Sequence, residues 1–463
     1  MKTLLLHIPQ INNGKREIMV IPMGLFSIAD YLYKNDIDVR ILHYGIQKEI
    51  EESFDLNRFI KYNKYKLICL DIHWIKQAKQ TIECIKFIKS NSPDIIIVVG
   101  GISASYFADE LLKTIPEIDF VIRGEGEYPL LRLIKALESN RHSFQNIPNL
   151  SYRIEKNIKH NKVTFYTDAK FYEEISHSNF KLLINYDKYF NRLLYADFDT
   201  SKRFGIRDSY KNAFFYNPGK GCPYNCIYCG SHFYKKSYIK QKKGFYFFSL
   251  KKAISDICNS YSYRIDVLRI SFDPDPERRY YIRLFNELPN SLKKKIRLIF
   301  DCFTLPSEAF VKSVTSHFRD DSTLIISMET GSDYVRGKIN RPYFTNHELI
   351  QSLKKILKYP LNIHIFLSFG LPFERSEDFK KTLEILNTIT RLKNIGITIC
   401  PIIVDIGSQM YEFPSKYNVS ILYNKFSNWA LEEISDDRTY YKTTFLSEVD
   451  ILNSIKSLRN SYE

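Results

Sequence analysis

Over the first 140 residues, short and fully apolar runs alternate with stretches that are apolar on one side only. Runs at residues 3–8, 38–42, 66–70, 95–99 and 120–122 have strand length, and segments 24–35, 76–90, 106–115 and 128–138 carry apolar positions at helical spacing. A run such as IIIVV at 95–99 has no polar face, which fits a strand of a parallel sheet covered by helices on both sides. Five such units predict a doubly wound, Rossmann-like or flavodoxin-like domain over residues 1–140, with any ligand at the carboxyl ends of the strands.

From 141 to 212 the rhythm is lost. The stretch SYRIEKNIKHNKVTFYT reads as a polar β-hairpin in a linker, followed by an aromatic and charged connector. Alternation then resumes over 213–410, with strands expected at 214–216, 267–271, 296–300, 324–328, 363–369 and 397–403. Six βα units predict a partial (β/α)6 TIM-type barrel. The remainder, 411–463, predicts a small helical tail with helices near 422–434 and 448–458. The fold class is therefore α/β, and no repeat of fixed period is visible.

Composition narrows the setting. In 463 residues, 44% hydrophobic and 26% charged positions exclude a mainly disordered chain. The excess of 67 Lys+Arg over 52 Asp+Glu, a net +15, favours acidic partners, although the basic residues are scattered and a solvated surface explains most of them. The N-terminal run MKTLLLHIPQ is interrupted by His7 and Pro9, so it reads as a first strand and not as a leader. The longest apolar stretch, 95–108, falls short of the roughly 18 residues a span requires, so a soluble cytoplasmic protein with no membrane segment is expected.

Eight cysteines stand at 69, 84, 222, 226, 229, 258, 302 and 400. Only three cluster, which points to metal binding in a reducing compartment and not to a disulfide framework. In NPGKGCPYNCIYCGSH, Cys222, Cys226 and Cys229 form a C-x3-C-x2-C pattern directly after a strand. Thiolates suit iron-sulfur clusters and zinc, and Gly219, Gly221 and Gly230 let the loop wrap closely. Three ligands on a four-iron cluster leave one iron open for chemistry. The alternative is a structural zinc site completed by His232, in a protein that binds nucleic acid through its basic surface. A βα domain of about 190 residues behind the loop, rather than a compact finger, disfavours it.

With Tyr228 as the aromatic before the last cysteine, this loop resembles the hallmark of the radical S-adenosylmethionine (radical SAM) enzymes. The resemblance implies a 4Fe-4S cluster held by Cys222, Cys226 and Cys229. Its open iron would chelate the amino and carboxylate groups of S-adenosylmethionine, which one electron then cleaves to methionine and a 5′-deoxyadenosyl radical. LIISMETGSDYVRGKINR at 324–341 resembles the family's fourth barrel strand and following loop, implying that Glu329 and Ser332 meet the ribose and Arg336 the carboxylate end. Strand-end capping is the alternative for all three. FLSFGLPFERSED at 366–378 resembles the fifth strand, with Gly370 letting the backbone approach adenine and Glu374 as a turn residue. One departure stands out: where the family often has Gly-Gly-Glu-Pro, this chain reads ISFDPDPERR. Asp273 and Asp275 either substitute for it or act as turn residues.

The first domain resembles the cobalamin-binding domain that precedes the barrel in one large radical SAM subgroup, on GLFSIADYLYKNDIDVRIL, VVGGISASYFADELL and DFVIRGEGEYPLLRLI. Gly100, Gly101, Ser103 and Ser105 would line the corrin and nucleotide tail. No G-x-G-x-x-G follows the first strand, which disfavours a nicotinamide site. The cobalt-ligand motif D-x-H-x-x-G is missing from its usual place; Asp71-Ile72-His73-Trp74 is similar but lacks the glycine, leaving His73 either facing the corrin or packed at a strand end. The five remaining cysteines form no second cluster motif, which disfavours methylthiotransferases.

The resemblance implies a radical SAM enzyme using cobalamin to methylate an unactivated carbon of a small-molecule or peptide substrate. A cobalamin-free rearrangement, cyclisation or crosslink is the alternative. The basic surface would suit an acidic electron donor, a flavodoxin or ferredoxin.

Overall fold

The computed structural model describes residues 1–12, 15–16, 20–139, 143–190, 212–339, 341–392, 395–402, 404–432, 434–435 and 438–462. The chain divides into two compact units. The first holds Met1–Ala196, Lys236–Lys240 and Lys425–Ile434, and the second holds Asp197–Lys235, Gln241–Asn424 and Ser435–Glu463.

In the first unit, β1 (Thr3–His7), β2 (Val39–His43), β3 (Leu67–Asp71), β4 (Ile96–Gly100) and β5 (Phe120–Ile122) pair in parallel. Each falls within a residue or so of its expected place. Leu4, Leu5 and Leu6 are fully buried, each contributing roughly 2 kcal/mol of apolar transfer. The hairpin expected in a linker instead extends this sheet: β6 (Leu150–Ile154) pairs antiparallel with β5, and β7 (Asn157–His160) with β6. The order is β2-β1-β3-β4-β5-β6-β7. The physical reason is the free edge of β5, whose unpaired backbone groups the polar hairpin satisfies. The connector at 191–211 lies outside the described residues. The single helix expected over 106–115 is two, Ile102–Tyr106 and Ala108–Thr114, broken at Phe107.

The second unit is built on β8 (Ala213–Phe215), β11 (Val267–Ile270), β12 (Arg297–Cys302), β13 (Thr323–Glu329), β14 (Asn362–Leu367) and β15 (Ile395–Ile399). They pair in parallel in that order, with helices between them, as a six-stranded partial barrel. Ala213, Val267, Ile299 and Ile325 form an apolar core inside it, against which Phe215 and Phe366 pack. A separate antiparallel pair, β9 (Gly219–Gly221) with β10 (Phe245–Phe247), stands just after β8.

The tail is not purely helical. It also contains β16 (Val419–Ile421) paired antiparallel with β17 (Tyr441–Thr443). Its helices divide between the units. Phe426–Leu431 packs in the first, where Phe426 N–H donates to Glu110 Oε2 at 2.8 Å and Trp429 is fully buried. Glu448–Tyr462 packs on the barrel through Ile451, Ile455 and Leu458. Among the described residues no helix is long and apolar enough to cross a membrane.

Candidate functional site

The three clustered cysteines lie on the loop that leaves β9, ahead of the helix Ser231–Tyr238. Glycine starts this loop because β9 lies flat on β10. A Cβ at Gly219 would come within 2.3 Å of Tyr246 O, and one at Gly221, at φ +86°, within 2.2 Å of Gly244 O. Buried Ile227 anchors the middle: its N–H donates to Ile339 O at 3.1 Å, and its carbonyl accepts from Met410 N–H at 2.8 Å. Gly230 N–H donates to Asp405 Oδ2 at 2.8 Å, and Lys235 reaches back to Tyr224 O at 3.0 Å and Asn225 Oδ1 at 2.6 Å. The loop is pinned at both flanks while its three cysteines form no disulfide, Cys229 Sγ donating to Ser231 Oγ at 3.3 Å.

Burial pushes the Cys226 and Cys229 thiols up to about 11, and Cys222 upward too; each is further raised by a neighbouring thiol of the set. Such a group ionises readily only against a cation, as bound iron would provide. Among the described residues no three His, Cys, Asp or Glu side chains converge as a ready single-ion site. Three thiols within eight residues are a soft donor set that suits an iron-sulfur cluster.

Beside the loop, Tyr228 and Glu329 meet on one guanidinium. Arg341 Nη1 lies 3.0 Å from Tyr228 Oη and 3.0 Å from Glu329 Oε1. Glu329 occupies the left-handed region at φ +67°, where the β13–β14 register shifts, and its carbonyl accepts from Ser368 N–H at 2.7 Å. That bulge turns the end of β13 toward the loop. Burial raises the Tyr228 hydroxyl well above its ordinary range, keeping it protonated. Arg341 also lines a cavity of about 520 Å³ with Pro223, Tyr224, Asn225, Gly337 and Pro342. This volume is within the roughly 300–1,000 Å³ of small-molecule sites. The sequence reading missed Arg341; its only signal was a basic residue shortly after a strand-end acid.

Other expected positions are engaged elsewhere. Arg336 is fully buried, and its five N–H groups meet five acceptors: Met328 O, Asp333 Oδ1, Phe344 O, Thr330 O and Asn346 Oδ1, at 2.6 to 3.2 Å. A saturated guanidinium has nothing left to offer a carboxylate. Ser332, also fully buried, caps the helix Asp333–Lys338 by accepting from Val335 N–H at 3.4 Å. At Gly370, φ +90°, the space of a side chain is filled by Ile451, with the N–H on Glu374 and the carbonyl on Tyr441 Oη. Glycine is thus required at this position. Glu374 is the turn residue, accepting from Thr330 Oγ1, Gly370 N–H and Leu371 N–H at 2.5 to 3.0 Å. Asp273 is buried against Arg278 at 2.6 Å, and Asp275 accepts from Glu277 N–H at 3.2 Å and Arg279 N–H at 3.1 Å within the turn.

In the first unit, Gly100 and Gly101 end β4. A Cβ at Gly100 would make ordinary contact with Ile122 O at 3.7 Å, so a small side chain could be accommodated there. Gly101, at φ +102°, lies on the β3 exit: a Cβ there would be 2.8 Å from the Ile72 carbonyl. Ser103 Oγ donates to His73 O at 3.1 Å, and Ser105 Oγ donates to Gly101 O at 2.7 Å while accepting from Gly124 N–H at 2.9 Å. The serines brace the strand ends. His73 is half-buried, edge-on to Trp74 at 4.9 Å.

A doubly wound domain with two glycines at the end of β4 precedes a partial barrel with three cysteines on a pinned loop, an arrangement that resembles radical SAM proteins carrying a cobalamin-type domain. Comparison with known proteins agrees. Residues 9–134 match the B12 binding domain family. The anaerobic magnesium-protoporphyrin IX monomethyl ester cyclase of Synechocystis sp. is 29% identical over 164 residues, covering 34% of this chain and 32% of the relative. The hopanoid C-3 methylase of Methylococcus capsulatus is 26% identical over 151 residues, covering 32% and 28%. The chain thus spans about a third of the length of these relatives. An uncharacterized methyltransferase of Pyrococcus horikoshii is 23% identical over 368 residues, covering 78% and 72%. In fold, the chain is similar to the radical S-adenosylmethionine methyltransferase TsrM from Kitasatospora setae, solved with cobalamin and a [4Fe-4S] cluster, at TM-score 0.65 and 15% identity, covering 91% of this chain and 77% of that one. It is similar also to the cobalamin-dependent S-adenosylmethionine radical enzyme OxsB, at TM-score 0.67 and 15% identity, covering 99% and 66%.

Proposed function

We propose that this protein is a radical SAM enzyme that uses a 4Fe-4S cluster and cobalamin to methylate an unactivated carbon of a small-molecule or peptide substrate. The observation that carries the reading is the pinned C-x3-C-x2-C loop beside a cavity at the barrel, in a chain whose residues 9–134 match the B12 binding domain family. Cys222, Cys226 and Cys229 would hold the cluster, and the strand ends at Gly100 and Gly101 would receive cobalamin. When bound, these groups supply the electron that cleaves S-adenosylmethionine and the carrier for the methyl group.

The chain's own residues do the rest. Ile227, Gly230 and Lys235 keep the loop from fraying, Glu329 neutralises Arg341, and the Tyr228 hydroxyl helps orient it beside the cavity. The net charge of +15 supports an acidic flavodoxin or ferredoxin as electron donor, and free thiols on the loop suit a reducing cytoplasm. A second reading, the same radical chemistry without cobalamin, is favoured by one observation: Ser103 and Ser105 direct their hydroxyls at the domain's own backbone.

Anaerobic reconstitution tests the reading. It expects near-equal iron and sulfide, lost in Cys226→Ala, and hydroxocobalamin that stays with the protein on gel filtration. Iron and sulfide without retained cobalamin would transfer support to the second reading. Zinc without sulfide would overturn both in favour of the zinc protein.

A further inference from the structure

We propose that Tyr238 gates the ligand crevice of the first unit, its ring holding the strand-end space at Gly124 and Ser105 until the nucleotide tail of cobalamin displaces it. The proposal deepens the cobalamin reading and rests on it. Residues Lys236–Lys240 belong to the first unit, although the helix Ser231–Tyr238 begins only two residues after Cys229. Tyr238 ends that helix and is 4% exposed. Its ring lies against Gly124, two residues past β5: a Cβ there would come within 2.4 Å of Tyr238 Cδ1 and 2.7 Å of Cε1, at a backbone φ of +75°. Ser105 spans the same gap, donating to Gly101 O at 2.7 Å and accepting from Gly124 N–H at 2.9 Å. Ring and serine together fill the space between the ends of β4 and β5, on the edge where a doubly wound sheet takes its ligand.

The group beside the ring indicates what displaces it. Arg123 donates through Nη2 to Asn161 O, but its Nε is buried and makes no hydrogen bond. Burial lowers the Arg123 guanidinium below its ordinary range, and Tyr238 opposes the fall. Burial likewise raises the Tyr238 hydroxyl, with Arg123 and a hydrogen bond with Ser105 opposing the rise. A cation with a spare buried N–H, covered by a neutral phenol, is matched better by an anion. The nucleotide tail of cobalamin carries a phosphodiester, whereas cobinamide, the corrinoid without that tail, carries none. The ring is not held by its own contacts alone, since Lys240 Nζ stands 3.9 Å over the Tyr166 ring two residues further on. Opening the crevice therefore breaks contacts, and the tail binds more weakly by the fraction of molecules in which the ring is out.

The test is equilibrium dialysis of the full-length, cluster-reconstituted protein with hydroxocobalamin and with cobinamide, followed by their visible absorption. Tyr238→Ala should bind hydroxocobalamin at least about tenfold tighter than wild type, the worth of no longer expelling a buried aromatic side chain. Tyr238→Phe, which keeps the ring and loses the hydroxyl, should gain only several-fold. Cobinamide should bind all three proteins alike, an equality that a general loosening of the domain would not produce. Hydroxocobalamin bound by Tyr238→Ala no tighter than by wild type overturns the gate and leaves the cobalamin reading intact, and so does a gain that cobinamide shares. Where Tyr238→Ala does not fold, trypsin cleavage of wild type after Lys236 and Lys240 decides. Cleavage that hydroxocobalamin speeds several-fold and cobinamide does not supports the gate, and cleavage that hydroxocobalamin leaves unchanged or slows overturns it. Folded wild type and Tyr238→Ala that both bind neither corrinoid defeat the cobalamin reading, and the gate with it.

Discussion

Glu374 should give the barrel an inverted pH dependence. Its carboxyl is fully buried, and burial pushes it up to about 7 from an ordinary 4.5, with hydrogen bonds from Thr330, Leu371 and Gly370 opposing the rise. A pKa raised in the folded state means that the native protein holds the proton more tightly than the unfolded chain. Its stabilising contribution is therefore complete below about pH 4.5 and is lost as the pH rises through about 7. At about 1.4 kcal/mol per unit, the loss between pH 5 and pH 8 is roughly 2 to 3 kcal/mol. The perturbation is Glu374→Gln. Its carbonyl can face Gly370 and Leu371 N–H while its amide donates to Thr330 Oγ1, whose proton is free to rotate, so the geometry survives and the titration disappears. The assay is urea unfolding followed by far-UV circular dichroism at both pH values, for wild type and variant. Other titrating groups cancel in the difference. Equal pH dependence in the two proteins would refute the reasoning.

Three further predictions concern the interior. Asp273→Asn should cost about 3–5 kcal/mol, because it leaves the fully buried Arg278 guanidinium uncompensated, and Asp273→Leu combined with Arg278→Met should recover much of this; urea midpoints measure both. Arg336→Ala should lower stability by a similar 3–5 kcal/mol, since it strips five internal acceptors, whereas a normally stable variant with weakened S-adenosylmethionine binding would restore the role first expected of it. Gly101→Ala should cost about 1–3 kcal/mol through its left-handed backbone and the clash with Ile72, lowering the urea midpoint and the retention of hydroxocobalamin together.

The strands and the cysteine loop were legible because their signals are local. An apolar run with both faces buried, such as 95–99, announces its own burial, and the cysteine spacing is contained in eight residues. What escaped was set by partners distant in sequence. The hairpin at 150–160 looks like any polar hairpin until the open edge of β5 is known. Why position 370 must be glycine is not visible until Ile451, 81 positions away, is seen to fill its side-chain space. Arg336 and Arg341 are indistinguishable as letters. Only the count of acceptors around each guanidinium separates the buried strut from the one with an open edge. The β16–β17 pair was invisible because each strand has three residues and the two are separated by a helix that packs in the other unit.

The central claim is tested most directly by one anaerobic turnover of protein reconstituted with iron, sulfide and hydroxocobalamin, given S-adenosylmethionine and a low-potential reductant, with products quantified by mass spectrometry. The account predicts 5′-deoxyadenosine together with S-adenosylhomocysteine, both abolished by Cys226→Ala. Deoxyadenosine without S-adenosylhomocysteine would contradict methylation, and the absence of both from cluster-loaded protein would contradict the radical SAM assignment.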